Sequence, residues 1–286
     1  MMPTRRNDRP VALAGASRRV SLAEPAVMGV LNITPDSFSD GGRYIEVEAA
    51  VERALAMVEQ GAAIVDIGGE STRPGATPVS SQAELARVLP VVEALRAESP
   101  VFISVDTSNP EVIRAVCESG ADMINDIRGL SRPKALEAVV AADAAACVMH
   151  MQGAPANMQS APVYADVVAE IRGYLAHRVA ACRAAGMAPE RIAVDPGFGF
   201  GKTLEHNLAL LRAIGELGVE GHPVLMGVSR KSMFARLFGR DDMDARINGS
   251  LGAAFWATLQ GVGIIRCHDV RRTVQMVALA RHLMQG

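Results

Sequence analysis

The sequence has few aromatic residues and no long apolar run. Only 4% of its 286 residues are Phe, Trp or Tyr, although 49% are hydrophobic, so its core must be mainly aliphatic. Such a core is typical of helices packed on buried strands. No apolar run approaches the roughly 20 residues of a membrane span, and the N-terminus lacks the apolar segment of a secretory signal. We therefore expect a soluble protein that is not exported.

Paired cysteines and a strong net charge are also missing. The four cysteines are scattered and show no CxxC spacing, and a chain of this size needs no disulfide. This cysteine pattern favours reduced thiols in a cytoplasm. The 29 Lys and Arg residues face 31 Asp and Glu residues, which gives a formal charge of −2. No basic field exists to attract nucleic acid or an anionic membrane, so any anion site must be local.

Short apolar runs alternate with alanine-rich helical patterns from residue 26 onward, at intervals of roughly 30 residues. The helical patterns include residues 46–60, 81–98 and 163–185. Asn109-Pro110, and Ser131 with Pro133, are expected to begin the third and fourth helices. The predicted strands are residues 27–31, 63–67, 101–105, 123–126, 145–149, 192–194, 224–228 and 263–266.

Eight such units predict an α/β protein whose strands close into a (β/α)8, or TIM, barrel. An open doubly wound sheet shows the same alternation, so periodicity alone leaves that alternative open. Strand count and chain length favour the barrel. Without a linker or a composition break, we predict one catalytic barrel over residues 26–286. Residues 1–25 are expected to form a tail and a short hairpin or plug.

Polar residues end nearly every predicted strand. In a barrel these ends open on one face, where the active site lies. Any one of them could simply cap a helix, but Asp106, Asn125, Asp195 and Lys231 would share one pocket. Carboxylates accept from amino and ring N–H groups, while an amide both donates and accepts. The set predicts a site for an aminopyrimidinone-like ring, with Lys231 offsetting the two carboxylates.

Arg266 and His268 alternate at the end of the last strand, so both can face the same side. A guanidinium beside an imidazole suits phosphate, and barrels often bind phosphate at their last two loops. We expect an anion site at this position. The remaining histidines show no metal-binding spacing.

Three loops are unusual. The loops after the first two strands, residues 33–42 and 68–75, exceed what a βα connection needs and are typical of lids. The sixth loop, DPGFGFGKT, invites comparison with a phosphate P-loop, but Pro196 stands where that motif needs Gly. Its glycines would instead let the backbone pass close to a ligand, with Phe198 or Phe200 stacking on an aromatic ring.

Seven short motifs stand out at the predicted strand ends and in the loops after them. They are LNITPDSFSDGG from Leu31, DIGGESTRPG from Asp66, SVDT from Ser104, ND from Asn125, DPGFGFGKT from Asp195, GVSRKS from Gly227 and RCHD from Arg266. Together they strongly resemble the bacterial dihydropteroate synthase family, and the resemblance extends from residue 26 essentially to the end. One departure is Cys267, where the family usually has Val, but alternation points it away from its two neighbours.

The resemblance implies a transferase that joins 7,8-dihydropterin-6-ylmethyl diphosphate to 4-aminobenzoate, giving 7,8-dihydropteroate and diphosphate in folate synthesis. It also implies Mg²⁺, competition by sulfonamides and a homodimer formed through outer helices. The implied pterin ligands are Asp106, Asn125, Asp195, Lys231 and Thr72. The implied diphosphate ligands are Arg266, His268 and Asn32. Asn32 would also bind Mg²⁺. The implied 4-aminobenzoate ligands are Thr72, Arg73, Pro74, Phe200, Ser229 and Lys231.

Two other functions share part of this pattern. A pterin-binding methyl-transfer barrel of the corrinoid type would keep the heterocycle pocket but have little use for the Arg-x-His pair. A non-catalytic paralogue that binds pterin for regulation would be expected to lose parts of the two lid loops. The sequence shows neither loss, so the synthase remains the favoured prediction.

Overall fold

A computed structural model describes residues 11–33, 43–71, 79–153, 158 and 162–285 of the chain. None of the helices within these ranges is both long and apolar enough to cross a membrane. The strands are β1 (Ala12–Ala14), β2 (Arg19–Ser21), β3 (Ala26–Asn32), β4 (Ile64–Gly68), β5 (Phe102–Asp106), β6 (Met123–Asp126), β7 (Ala145–Met149), β8 (Ile192–Asp195), β9 (Leu225–Met226) and β10 (Ile264–Cys267). The helices are α1 (Arg43–Glu59), α2 (Ser81–Glu98), α3 (Pro110–Glu118), α4 (Ala135–Ala141), α5 (Val167–Ala184), α6 (Leu204–Arg212), α7 (Ser232–Phe238), α8 (Met243–Leu259) and α9 (Val270–Gln285).

Strands β3 to β10 form one parallel sheet in the order β8-β7-β6-β5-β4-β3-β10-β9. A parallel bridge between Val194 and Val224 then joins β8 to the start of β9 and closes the ring. Helices follow the strands around it, so the predicted (β/α)8 barrel is confirmed. The open doubly wound alternative is wrong.

Side chains along each strand alternate between the barrel interior and the layer that faces the helices. Val65 and Ile103 belong to the outer layer and pack in the large cluster that the helices complete. Met28 and Ile64 point inward and form a second cluster with Leu13 of β1. The antiparallel β1–β2 hairpin therefore closes the amino end of the barrel, as the predicted plug would. The opposite end is left for polar residues.

Two predicted helix starts are wrong. Helix α5 begins after Asp166, whose Oδ1 accepts hydrogen bonds from Val168 N and Ala169 N at 3.0 Å. Residue 163, the predicted start, therefore lies outside the helix. Helix α4 begins after Lys134, which has a left-handed backbone (φ 67°) and no side-chain cap. Ser131 and Pro133 therefore precede the helix without starting it. Here a backbone turn, rather than capping chemistry, sets the boundary.

Other boundaries follow the prediction more closely, except at β9. Asn109 caps α3 by accepting a hydrogen bond from Glu111 N at 3.2 Å, and Pro110 occupies the first turn as predicted. Strand β9 is only two residues long, whereas residues 224–228 were predicted. The chain leaves the sheet early because it turns toward α7, with Lys231 N donating to Val228 O at 3.2 Å.

A buried ion pair joins α2 to the amino end of the barrel. Arg96 Nη2 lies 2.6 Å from Asp122 Oδ2, with side-chain exposures of 14% and 0%. The remaining guanidinium donors bind the carbonyl oxygens of Gly120, Val101 and Ser99 at 2.9–3.2 Å. Asp122 also accepts a hydrogen bond from Ser17 Oγ of the hairpin at 3.1 Å. One guanidinium thus holds the plug, a helix and two strand connections together.

The substitution Arg96→Met is expected to lower the free energy of unfolding by about 3 kcal/mol, because it leaves the carboxylate of Asp122 buried without a cation. Chemical denaturation at neutral pH measures this loss. The control is Arg183→Met, since Arg183 and Glu220 form a pair that is about half exposed and should contribute about 1 kcal/mol or less. Equal effects of the two substitutions would contradict the role given to the buried pair.

Candidate active site

A layer of polar side chains fills the barrel interior above the hydrophobic plug. It arises because in β4, β5, β6, β8 and β10 the inward phase continues by two residues from an apolar position to a polar one, as from Ile64 to Asp66. Parallel strands place all these positions at the same end of the barrel. The polar residues of this layer are Asp66, Ser104, Asp106, Asn125, Asp195 and Arg266.

Asp66 lies at the centre of this layer and is fully buried. Its Oδ1 accepts a hydrogen bond from Ser104 Oγ at 2.6 Å. Its Oδ2 accepts from Asn125 Nδ2 at 3.2 Å and from Arg266 Nε at 2.6 Å. Arg266 also donates from Nη2 to Asp106 Oδ2 at 3.1 Å. The predicted ligands Asp106, Asn125 and Arg266 are thus brought together, and Asp66, to which no role was given, connects them.

Asp195 and Lys231 occupy the neighbouring part of the mouth. Gly197 N donates to Asp195 Oδ1 at 2.6 Å, and Lys231 Nζ donates to Phe198 O. The same ammonium lies 4.6 Å from the ring centroid of Phe200. Phe198 is fully buried, whereas Phe200 is partly exposed. Of the two aromatic residues, only Phe200 is placed to contact a ligand.

The charge balance differs from the predicted one. Arg266 pairs with Asp106, whereas Lys231 faces Asp195. Burial raises the pKa of Asp106 to about 7 although Arg266 opposes the shift, while Asp66 adds to it. Burial also raises the pKa of Asp195, which the Gly197 N–H and Lys231 partly offset. Burial lowers the pKa of Lys231 to about 8 against the attraction of Asp195. The prediction that Lys231 offsets both carboxylates is wrong.

The loops after β9 and β10 are joined at the edge of the site. His268 N donates to Ser229 Oγ at 3.1 Å, and His268 Nδ1 lies 2.9 Å from the same oxygen. Arg230 holds both oxygens of Asp269 through Nε and Nη2 at 2.9 and 2.6 Å. Ser229, a predicted 4-aminobenzoate ligand, and His268, a predicted diphosphate ligand, are therefore in direct contact.

Cys267 is buried in the outer cluster, so its predicted outward direction is confirmed.

Glycines in the β8–α6 loop allow close contact with the β7–α5 loop. Gly197 has φ +68°, and a Cβ added there would lie 1.9 Å from His150 O. Gly201 has φ +61°, and its Cβ would lie 2.5 Å from Gln152 O. The sequence predicted that these glycines bring the backbone close to a ligand. In the structure, the close approach at both positions is to the neighbouring loop.

Asn32 ends β3 with an exposed side chain. It lies beside Asp106 across Gly68, where an added Cβ would be 3.6 Å from Asn32 Oδ1 and 3.6 Å from Asp106 Cβ. The first predicted lid loop lies outside the described residues apart from residue 33, and the second is described only as far as residue 71. The predicted ligands that also fall outside them are Thr72, Arg73 and Pro74.

Ring binding in this pocket should have a bell-shaped pH dependence. If Asp106 and Lys231 are the ring ligands that the sequence predicts, the binding form needs Asp106 ionised, to accept hydrogen bonds, and Lys231 protonated. With pKa values of about 7 and about 8, affinity should fall below the first and above the second, as two macroscopic steps. Calorimetry with a pterin alcohol measures this, since that ligand has no phosphate that titrates. An affinity that is flat from pH 6 to 9 would refute the assignment, and Asp106→Asn should remove the acid limb.

The comparisons with known proteins agree with this geometry. A profile of the family described as "Pterin binding enzyme" matches residues 28–268. Together with the barrel and its polar mouth, the match defines the chain as a pterin-binding (β/α)8-barrel enzyme. Dihydropteroate synthase of Escherichia coli (strain K12) is 52% identical over 256 residues, which cover 90% of this chain and 90% of that protein. The chain belongs to the dihydropteroate synthase family.

Solved structures give the same result. Yersinia pestis dihydropteroate synthase, solved with a sulfonamide drug complex, superposes with a TM-score of 0.90 at 46% identity, covering 96% of this chain and 100% of that one. The enzyme from Xanthomonas albilineans in complex with 7,8-dihydropteroate gives a TM-score of 0.87 at 42% identity, covering 96% and 99%. The similarity therefore includes nearly the whole barrel.

Proposed function

We propose that this chain is a dihydropteroate synthase, a transferase that condenses 7,8-dihydropterin-6-ylmethyl diphosphate with 4-aminobenzoate. The observation that carries the proposal is the buried polar layer. In it, Asp66 accepts hydrogen bonds from a hydroxyl, an amide and a guanidinium, and the guanidinium also binds a second carboxylate, that of Asp106. The relatives that bind dihydropteroate and sulfonamides support the choice of substrates. The products are 7,8-dihydropteroate and diphosphate.

The pterin ring would occupy the pocket between Asp106, Asn125, Asp195 and Lys231. Its amino and ring N–H groups are donors that the carboxylates accept, and its carbonyl is an acceptor for the amide or the ammonium. The network already fixes Asn125 and the Gly197 N–H already fixes Asp195. Little reorganisation would be needed on binding, which is what a preorganised site provides.

The diphosphate would lie toward Arg266, His268 and Asn32. Burial alone would lower the pKa of Arg266, but Asp66 and Asp106 raise it overall, so this guanidinium stays charged throughout the working pH range. The same pairing holds its planar group in one orientation. A charged and oriented donor is suited to the negative charge that builds up on a departing diphosphate.

Mg²⁺ fits the donor set at the end of β3. The described residues contain no group of three or more His, Cys, Asp or Glu side chains that could hold a metal alone. Mg²⁺ commonly takes only one or two protein oxygens and fills its shell with substrate phosphates and water, so Asn32 Oδ1 would be a sufficient protein ligand. When bound, Mg²⁺ would neutralise charge on the diphosphate.

The reaction then needs no protein nucleophile. The C–O bond to the diphosphate breaks first and its electron pair leaves with the diphosphate, so the methylene carbon carries cationic character. The amine of 4-aminobenzoate donates its lone pair to that carbon and afterwards loses a proton. Phe200, Ser229 and Lys231 would receive this second substrate, together with Thr72, Arg73 and Pro74. Positioning and charge stabilisation are the main contributions of the protein.

The direct test mixes the purified protein with Mg²⁺, the pterin diphosphate and 4-aminobenzoate, and follows 7,8-dihydropteroate by chromatography. Product that depends on both substrates supports the proposal. Absence of product from folded protein would end it. A parallel assay with a methylated pterin and a corrinoid acceptor should show no methyl transfer, which separates the synthase from the methyl-transfer alternative.

Removal of divalent metal should abolish synthase activity, and added Mg²⁺ should restore it. In Asn32→Ala, the Mg²⁺ concentration for half-maximal activity is expected to rise about tenfold, because one protein oxygen is lost from the coordination shell. Asn32→Asp keeps an oxygen ligand and should need far less added metal than Asn32→Ala. A Mg²⁺ requirement that is identical in all three proteins would contradict the assignment of Asn32.

The assembly we propose is a cytoplasmic homodimer formed through outer helices. Trp256 of α8 and Leu279, Leu283 and Met284 of α9 are 40–65% exposed, and these two helices pack together. Leu279 and Leu283 lie one turn apart on α9 and so share a face, and exposed apolar patches are typical of interaction surfaces. Light scattering tests the dimer, and Leu283→Glu should shift it toward monomer. The unpaired cysteines suit a reducing compartment.

A further inference from the structure

Lys202 is a buried lysine in the β8–α6 loop that the mechanism above does not use. It is 2% exposed. Its Nζ donates to Gly197 O at 2.8 Å and to Phe200 O at 2.9 Å, and it lies 3.1 Å from His150 Nδ1. The protonated group has three N–H donors, and each has a partner here, while burial lowers the pKa of Lys202 to about 7. The loop is therefore folded around the side chain of one of its own residues.

The two carbonyl partners of Lys202 belong to residues that reach the site. Gly197 uses its N–H to hold Asp195 Oδ1 at 2.6 Å. Phe200 places its ring 4.6 Å from the ammonium of Lys231. Lys202 thus anchors the carbonyl of Gly197, whose N–H holds Asp195, and the carbonyl of Phe200, which carries the partly exposed ring. The strand that carries Asp195 holds the first of these two ends. The Phe200 end lies within the loop, where Phe200 N also donates to Gly197 O at 3.1 Å.

The third partner ties this loop to the one before it. Burial and the neighbouring Lys202 lower the pKa of His150 to about 3, so the imidazole is neutral and its Nδ1 can accept. The ring of His150 packs edge-on against Tyr174 at 4.9 Å. Tyr164 OH donates to Gly201 O at 2.8 Å, which adds a second link between the loops. His150 is therefore a rigid acceptor that sets where the lysine can lie.

We propose that Lys202, held by His150, is a positioning residue that sets Phe200 for the second substrate, 4-aminobenzoate. The proposal rests on the proposed function, since it assigns a role within that reaction. Lys202 does not itself contact either substrate. Its effect on the amine substrate passes through the Phe200 carbonyl, and its effect on the pterin is buffered by the strand that carries Asp195.

The substitution Lys202→Met removes the three donors and keeps most of the side-chain volume. We expect the KM for 4-aminobenzoate to rise about tenfold or more. We expect the dissociation constant for the pterin diphosphate, measured by calorimetry without the amine, to change by less than about threefold. The same substitution at the exposed Lys134 is the control and should change neither quantity. Equal weakening of both substrates, or no change in either, would overturn the proposal.

A matched pair at His150 tests the same link without touching the lysine. His150→Leu removes the acceptor and should raise the KM for 4-aminobenzoate while leaving pterin binding largely unchanged. His150→Asn places an amide oxygen near the position of Nδ1 and should restore much of the loss. If Lys202→Met does not fold, this pair decides the question. Loss of thermal stability in both variants, with kinetics that do not differ between them, would show that the link is only structural.

The two proposals can fail separately. If the wild-type protein forms no dihydropteroate, the proposed function fails. Binding of 4-aminobenzoate to the protein with pterin and diphosphate present can still be compared between wild type and Lys202→Met, and an unchanged affinity would then refute the positioning role as well. If the wild type is active and the variants lose both affinities equally, only the positioning role fails.

Discussion

The substitution Arg266→Met is expected to lower kcat/KM for the pterin diphosphate by about a hundredfold or more, because the guanidinium that we propose stabilises the departing diphosphate is lost. It should also lower the free energy of unfolding by about 3 kcal/mol, since two carboxylates lose their cation. Arg266 contacts Asp66 at 2.6 Å and Asp106 at 3.1 Å. Steady-state kinetics and urea denaturation measure the two effects on the same preparation.

The loss of stability should depend on pH in a defined direction. The pKa of Asp106 is raised to about 7 in the folded wild type, against an ordinary value of 3.8. An acid whose pKa is raised by folding contributes stability at low pH that is lost as the pH rises through the folded pKa. Without Arg266 the pKa of Asp106 should rise further, so that loss extends to higher pH. The variant should therefore differ from wild type more at pH 8.5 than at pH 5.5.

Two controls separate the charge of Arg266 from its shape. Arg266→Lys keeps a cation but cannot bridge two carboxylates with a planar fork, so it should recover more stability than activity. The double variant Asp66→Asn with Arg266→Met removes one of the stranded charges and should recover stability without activity. A methionine variant as stable and as active as wild type would refute the place given to this network.

The residues that the sequence could locate are those fixed by strand periodicity. Asp106, Asn125 and Asp195 end parallel strands in the same inward phase, and closure of the barrel then brings them together whatever the loops do. Asp66 has the same phase in β4, and this signal was sufficient to include it. Asp66 falls in the predicted strand of residues 63–67 but receives no ligand role there, because only Asp106, Asn125, Asp195 and Lys231 are grouped as the ring-binding set.

The sequence alone does not predict the contacts that loops make. The choice between Phe198 and Phe200 depends on how the β8–α6 loop folds, and within that loop Lys202 Nζ donates to the carbonyls of Gly197 and Phe200. The pairing of Arg266 with two acids, where Lys231 was expected, depends on distances across the barrel. Neither the residue types nor their spacing within one strand encodes such distances, because these distances arise only when separate strands close into a ring.

The substitution Lys231→Met is expected to weaken pterin binding by about a hundredfold, because Asp195 loses the cation that faces it and the ring loses a donor. The KM for 4-aminobenzoate should also rise, since the contact of the ammonium with the ring of Phe200 at 4.6 Å is lost. The free energy of unfolding should change by about 1 kcal/mol or less, because Asp195 keeps the Gly197 N–H and the buried ammonium is itself costly to desolvate. Calorimetry and chemical denaturation test these expectations.

A comparison of two ligands distinguishes Lys231 from Arg266. Lys231→Met should weaken the pterin alcohol and the pterin diphosphate by similar factors, because the ammonium faces the ring pocket through Asp195. Arg266→Met should weaken the diphosphate more than the alcohol, because its guanidinium would also meet the phosphate groups. Lys231→Met should lack the alkaline limb of the pH profile near 8, which the arginine variant should keep. If both variants show the same ratio between the two ligands, the division of the site into a ring pocket and a diphosphate pocket is wrong.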